Sequence, residues 1–144
     1  MDSNPPIRPL FAYGTLRDVD YQRELFGRTF PMRAARVHGF VVVTTPSGYL
    51  AATARRGASV DGMLVELDGA AYHMADAWED LAVYARIDVD AQLPGGTALG
   101  CQMYVQSAAD GPEVTDGQLA ARPRADVIAE IHRFRELFDA SRQR

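Results

Sequence analysis

Apolar positions along this chain fall mostly into short alternating runs, interrupted by three stretches with a helical period. Leu10-Phe11-Ala12 leads straight into Tyr13-Gly14-Thr15-Leu16, which predicts a buried strand over residues 7–13 and a tight loop over 14–17. Residues 20–26 predict a short helix, capped by Asp18 or Asp20 and stopped by Gly27. A β-rich stretch follows. Strands are predicted over 33–37, 40–45, 49–53 and 59–67, with turn signals at Pro46-Ser47-Gly48 and Arg55-Arg56-Gly57. Asp68 caps a helix over 69–79, where Ala71, Met74, Ala75 and Trp78 line one side. Alternation returns over 83–91: Val83, Ala85, Ile87, Val89 and Ala91 face one way, Tyr84, Arg86, Asp88 and Asp90 the other. Pro94-Gly95-Gly96 turns the chain into a partner strand over 97–106. Residues 108–117 read as a polar loop. Pro123 then opens an amphipathic helix to residue 140, its stripe made of Val127, Ile128, Ile131, Phe134, Leu137 and Phe138. Six or seven strands, mostly joined as hairpins, with few helices predict an α+β, mainly β fold: a small closed or curled mixed β-barrel with flanking helices.

Composition narrows the setting. At 144 residues the chain is read as a single domain over 1–144, with residues 1–6 as a frayed polar tail. That start lacks the basic-then-apolar order of a signal peptide, and no run approaches a membrane span. One cysteine, Cys101, excludes an internal disulfide and fits a reducing cytoplasm. Three scattered histidines and that one cysteine offer no metal-ligand spacing. The net charge is −4, and the 15 basic residues, all arginine, are dispersed, which argues against nucleic acid as a partner. Oligomeric state stays open between monomer and homodimer, because the stripe of the last helix suits a partner copy as well as the core.

Two places carry candidate chemistry. In the loop Tyr13-Gly14-Thr15-Leu16, successive backbone N–H groups can converge on an anion, and the reading is that they hold the carboxylate of a small substrate. Glu79 ends the helix over 69–79, where the macrodipole disfavours an anion, and it follows Trp78, which would desolvate it. A carboxylate so placed suits proton transfer; the bland alternative is a solvated helix end. Tyr84 either closes such a pocket or shields one face of a strand.

Taken together, these segments resemble the γ-glutamylcyclotransferase-like family, in its AIG2-like branch. The resemblance covers roughly residues 8–106 of a chain of ordinary domain size. Phe11-Ala12-Tyr13-Gly14-Thr15-Leu16-Arg17 is similar to the family's Tyr-Gly-Thr-Leu-Arg loop, and Val60-Asp61-Gly62-Met63-Leu64 to its Val-x-Gly strand. Ala75-Asp76-Ala77-Trp78-Glu79 resembles the segment ending in the catalytic glutamate, and Tyr84-Ala85-Arg86-Ile87-Asp88-Val89 its Tyr-x-Arg-x-x-Val strand. Three positions depart from the pattern: Asp80 stands where glycine is usual, Ala75 where leucine is, and Leu50 where proline follows the tyrosine. The resemblance implies a small β-barrel that works without cofactor or metal. It implies that a small γ-glutamyl amine or amino acid cyclises to 5-oxoproline and releases an amine. Glu79 would be the general base and acid, with Tyr13, Gly14, Thr15, Leu16 and Tyr84 binding substrate. A non-catalytic carboxylate-binding module of the same fold and a glutamate-dependent amide hydrolase are the alternatives.

Overall fold

The computed structural model describes residues 7–107, 109–114 and 122–142. The expected tail over 1–6 lies outside them, as does part of the expected loop over 108–117. Among the described residues there are five strands rather than six or seven: β1 (Leu10–Ala12), β2 (Met32–Thr44), β3 (Leu50–Val65), β4 (Ala85–Gln92) and β5 (Ala98–Val105). Three helices accompany them: α1 (Val19–Phe26), α2 (Gly69–Glu79) and α3 (Arg124–Arg142). None of the described helices is long and apolar enough to cross a membrane.

The difference in strand number has a local cause. The pairs 33–37 with 40–45, and 49–53 with 59–67, are each one long bent strand. His38 faces Ser59 but Phe40 faces Ala54, so residues 55–58 bulge opposite Gly39 alone. Gly39 (φ 87°) and Gly57 (φ 83°) absorb the distortion. The Arg55-Arg56-Gly57 signal therefore marks a β-bulge, not a reversal of the chain.

The strands close in the order β1-β3-β2-β4-β5. β1 pairs antiparallel with β3, Phe11 opposite Leu64, and parallel with β5, where Gln102 N–H donates to Pro9 O at 2.9 Å. Pro112 O accepts from Thr44 N–H and Val114 N–H donates to Val42 O, each at 2.9 Å, so part of the expected polar loop is laid along the edge of β2.

Strand alternation divides the apolar residues between two layers. Phe11, Val37, Leu64, Cys101 and Met103 fill the barrel interior. Leu10, Ala12 and Val65 instead meet Leu25 of α1, Ala75 of α2 and Ile131 of α3 in a second layer. Val127 and Ile131 of α3 are buried there, so that part of the stripe serves the core. Leu137 departs from the expected stripe and is 74% exposed. Val83 also departs: β4 begins two residues later, and Val83 is left 54% exposed.

Caps set the helix ends. The Asp18 carboxylate accepts from Asp20 N–H at 2.9 Å and Tyr21 N–H at 3.2 Å, while Gly27 (φ 76°) ends α1. The Asp68 carboxylate accepts from Ala71 N–H at 2.8 Å at the start of α2. α2 ends at Asp80, whose φ of 67° is the one positive value outside glycine among the described residues.

Candidate active site

β1 delivers the chain into a single 3₁₀ turn, Thr15–Arg17, beside the start of β3 and the end of α2. Between these elements lies a cavity of about 350 Å³, near the lower end of the ~300–1,000 Å³ typical of small-molecule sites. All six residues singled out from the sequence line it: Tyr13, Gly14, Thr15, Leu16, Glu79 and Tyr84. Arg17 does not.

Each of the six presents something different. In the turn, Arg17 N–H donates to Gly14 O at 3.2 Å and Asp18 N–H to Thr15 O at 3.1 Å. The N–H groups of Gly14 to Leu16 precede these bonds, as the first donors of any helical turn do. The Leu16 side chain is buried among the helices, so Leu16 offers its backbone. Tyr13 is a strut: its hydroxyl donates to Tyr104 O at 2.7 Å and accepts from Ala52 N–H at 3.1 Å. Burial first, then the Glu79 charge, raise its phenol well above the usual range. The buried Tyr84 donates its hydroxyl to Leu50 O at 2.7 Å, and the same two causes push it up to about 12.

Glu79 keeps partial exposure as a residue while its carboxyl is surrounded by the cavity wall. It accepts no hydrogen bond among the described residues, and burial raises its pKa to about 7. The neighbouring Asp80 is exposed and does not contribute to that shift; its carboxylate accepts from Ala82 N–H at 3.0 Å.

The cavity also holds residues that no sequence pattern marked. Tyr104 joins the wall from β5 and Gln106 from just beyond it. At the rim, Tyr49 donates to Glu130 at 2.9 Å, Arg122 pairs with Glu130, and the Arg122 guanidinium lies 4.8 Å above the Tyr49 ring. Their places depend on strand register and on how α3 docks. The three histidines stay outside: His38 meets Gln92 at 2.9 Å, His132 meets Glu24 at 2.7 Å, and His73 contacts the Phe138 ring.

The family model described as γ-glutamyl cyclotransferase, AIG2-like, matches residues 10–121, which takes in both the loop and Glu79. The chain belongs to this family. Solved structures share its fold. A protein from Arabidopsis thaliana solved in solution is 19% identical, with a TM-score of 0.64 over 99% of this chain and 88% of that one. A protein named γ-glutamyl cyclotransferase is 15% identical, with a TM-score of 0.62 over 86% of this chain and 77% of that one. An AIG2-like protein from Mus musculus is 20% identical, with a TM-score of 0.60 over 82% of this chain and 97% of that one. A comparison with curated proteins finds no match. The family model makes this a γ-glutamyl cyclotransferase-like chain of the AIG2 type, and the solved structures share its fold.

Proposed function

We propose that the AIG2-like cavity converts a small γ-glutamyl amine or γ-glutamyl amino acid to 5-oxoproline and a free amine, with Glu79 as the proton carrier. The observation that carries this reading is the Glu79 carboxyl: inside the cavity, free of hydrogen bonds among the described residues, with burial holding its pKa near 7. A carboxylate of that kind exchanges protons readily in either direction near neutral pH.

Three events make up the reaction. The substrate's α-ammonium gives a proton to Glu79. The freed amine nitrogen attacks the γ-carbonyl carbon and closes the five-membered ring. Glu79 then returns the proton to the departing nitrogen as the old C–N bond breaks, since an amide anion is too basic to leave; the ring nitrogen's second proton passes by the same carboxylate to the released amine, which departs as its ammonium. The N–H groups of Gly14 to Leu16 hold the α-carboxylate, and Tyr13 and Tyr84 fix the backbone around it. General acid–base catalysis contributes about 10²- to 10⁴-fold. Holding amine and carbonyl in contact supplies the larger part of the rate.

A mass-spectrometric screen for 5-oxoproline, run on a panel of γ-glutamyl amines and dipeptides, tests this. Native protein turns over at least one member, and a folded Glu79→Gln variant loses about a hundredfold or more in kcat. Release of glutamate instead of 5-oxoproline identifies a hydrolase, and binding without turnover identifies a carboxylate-binding module.

A further inference from the structure

Tyr104 spends its hydroxyl proton on Asp76 Oδ1, at 2.6 Å. Asp76 is fixed in turn. Arg86 Nη1 lies 3.2 Å from the same oxygen, a charge contact whose alignment falls short of a hydrogen bond. The Arg86 guanidinium stacks over the Tyr72 ring at 4.4 Å, and Tyr72 donates its hydroxyl to Arg8 O at 2.8 Å. Tyr104 lines the cavity and Asp76 does not. The proton is therefore directed out of the cavity wall, and the oxygen it leaves behind can only accept.

The other two phenols differ in one respect. Tyr13 and Tyr84 also donate to backbone carbonyls, but Tyr13 already accepts from Ala52 N–H and Tyr84 is bonded by the Gln106 side chain. Tyr104 Oη accepts from no described group, and neither does Glu79. Asp76 and Glu79 stand three residues apart on α2, hence on one face of the helix, which brings Tyr104 Oη to the Glu79 side. The Tyr104 hydroxyl lies within the field of the Glu79 charge. This side of the cavity thus offers two acceptors in a negative field. A ligand group that satisfies both must bring at least two N–H donors and positive charge, which describes a primary ammonium.

We infer that Tyr104, oriented by Asp76, is a binding residue that receives the substrate's α-ammonium beside Glu79, and that it selects ligands with a free α-amine over their des-amino counterparts. This rests on the γ-glutamyl reading of the site. Tyr104 touches the ligand; Asp76 is a positioning residue that acts through it.

The test uses the full-length Glu79→Gln chain, which holds ligand without turnover, and two probes differing only in the α-amine: γ-glutamyl anilide and glutaryl anilide. Affinities come from NMR titration. The amine-bearing anilide binds about tenfold tighter, as one charge-assisted hydrogen bond provides. Adding Tyr104→Phe cuts that preference to about twofold or less and leaves glutaryl anilide within about twofold of its starting affinity. Asp76→Leu keeps the ring but frees its proton to turn toward the ammonium, and the preference falls there too. Equal weakening of both anilides by Tyr104→Phe overturns the inference, as does a preference that survives both substitutions. Equal binding of the two anilides by the starting chain sinks the inference alone. Binding of neither sinks the γ-glutamyl reading and the inference with it.

Discussion

Glu79 is costly to fold as an anion, and the cost has a pH signature. Its folded pKa of about 7 stands above its ordinary value of 4.5. Below pH ~4.5 the group is protonated whether folded or not, and it costs nothing. Between ~4.5 and ~7 the folded state binds more protons than the unfolded one, so stability falls as pH rises; above ~7 the loss is complete. Glu79→Gln is therefore more stable than native protein by about 1–3 kcal/mol at pH 8 and equal to it at pH 4, as thermal melts at the two values measure. On the functional reading, the acid limb of kcat/KM lies near pH 7, because ionised Glu79 accepts the first proton. The position of Glu79 was legible in the sequence, since Asp68 and the helical period fixed the helix on which it sits. Tyr104 was not. Nothing near it in the chain distinguishes it from another strand tyrosine, and its partner Asp76 reaches it only through α2's docking on β5.

At the scale of elements, two backbone positions aim the site. Asp80 holds a conformation natural to glycine, with φ 67°. Its carbonyl accepts from Val83 N–H at 2.8 Å and Tyr84 N–H at 2.9 Å, so the turn that follows Glu79 depends on it. Asp80→Ala keeps the strain and loses the Asp80–Ala82 bond, and lowers stability by about 1–2 kcal/mol; Asp80→Gly relieves the strain as it loses the bond, and stays within about 1 kcal/mol of native in urea unfolding. Gly62 serves β1 in the same way. A Cβ there would meet Ala12 O at 2.5 Å and the Phe11 ring at 2.8 Å. Gly62→Ala forces β1 away from β3, costs about 1–3 kcal/mol in the same measurement, and displaces the Tyr13–Leu16 loop. Helix limits were read well from the sequence because caps are local: Asp18, Gly27 and Asp68 do what their positions implied. Strand limits were read less well. A glycine at positive φ serves a bulge and a turn alike, and only the partner strand decides which it is. Arg55-Arg56-Gly57 therefore carries the signal of a turn while lying inside one strand, β3.

The whole molecule ties its far end to the site. α3 supplies Val127 and Glu130 to the cavity wall, while Ile131 on the same helix is fully buried in the layer beneath. Arg124 fastens its start to Asp18 at 2.8 Å and to Asp20 at 3.0 Å, although such exposed pairs contribute little stability. Ile131→Ala leaves a void that costs about 2–5 kcal/mol. It lowers Tm and, on the functional reading, raises KM more than it lowers kcat by loosening α3 against the cavity. The parallel pairing of β1 with β5 has a consequence in time. Leu10 must close on Gln102 across most of the chain, a long loop that is costly in entropy, whereas β2 and β3 are neighbours in sequence and close a short one. Until β1 pairs, the Tyr13–Leu16 loop that follows it has nothing to press against. The cavity thus takes shape only as the barrel closes, and on the functional reading a partly folded molecule has no means of doing proton chemistry prematurely.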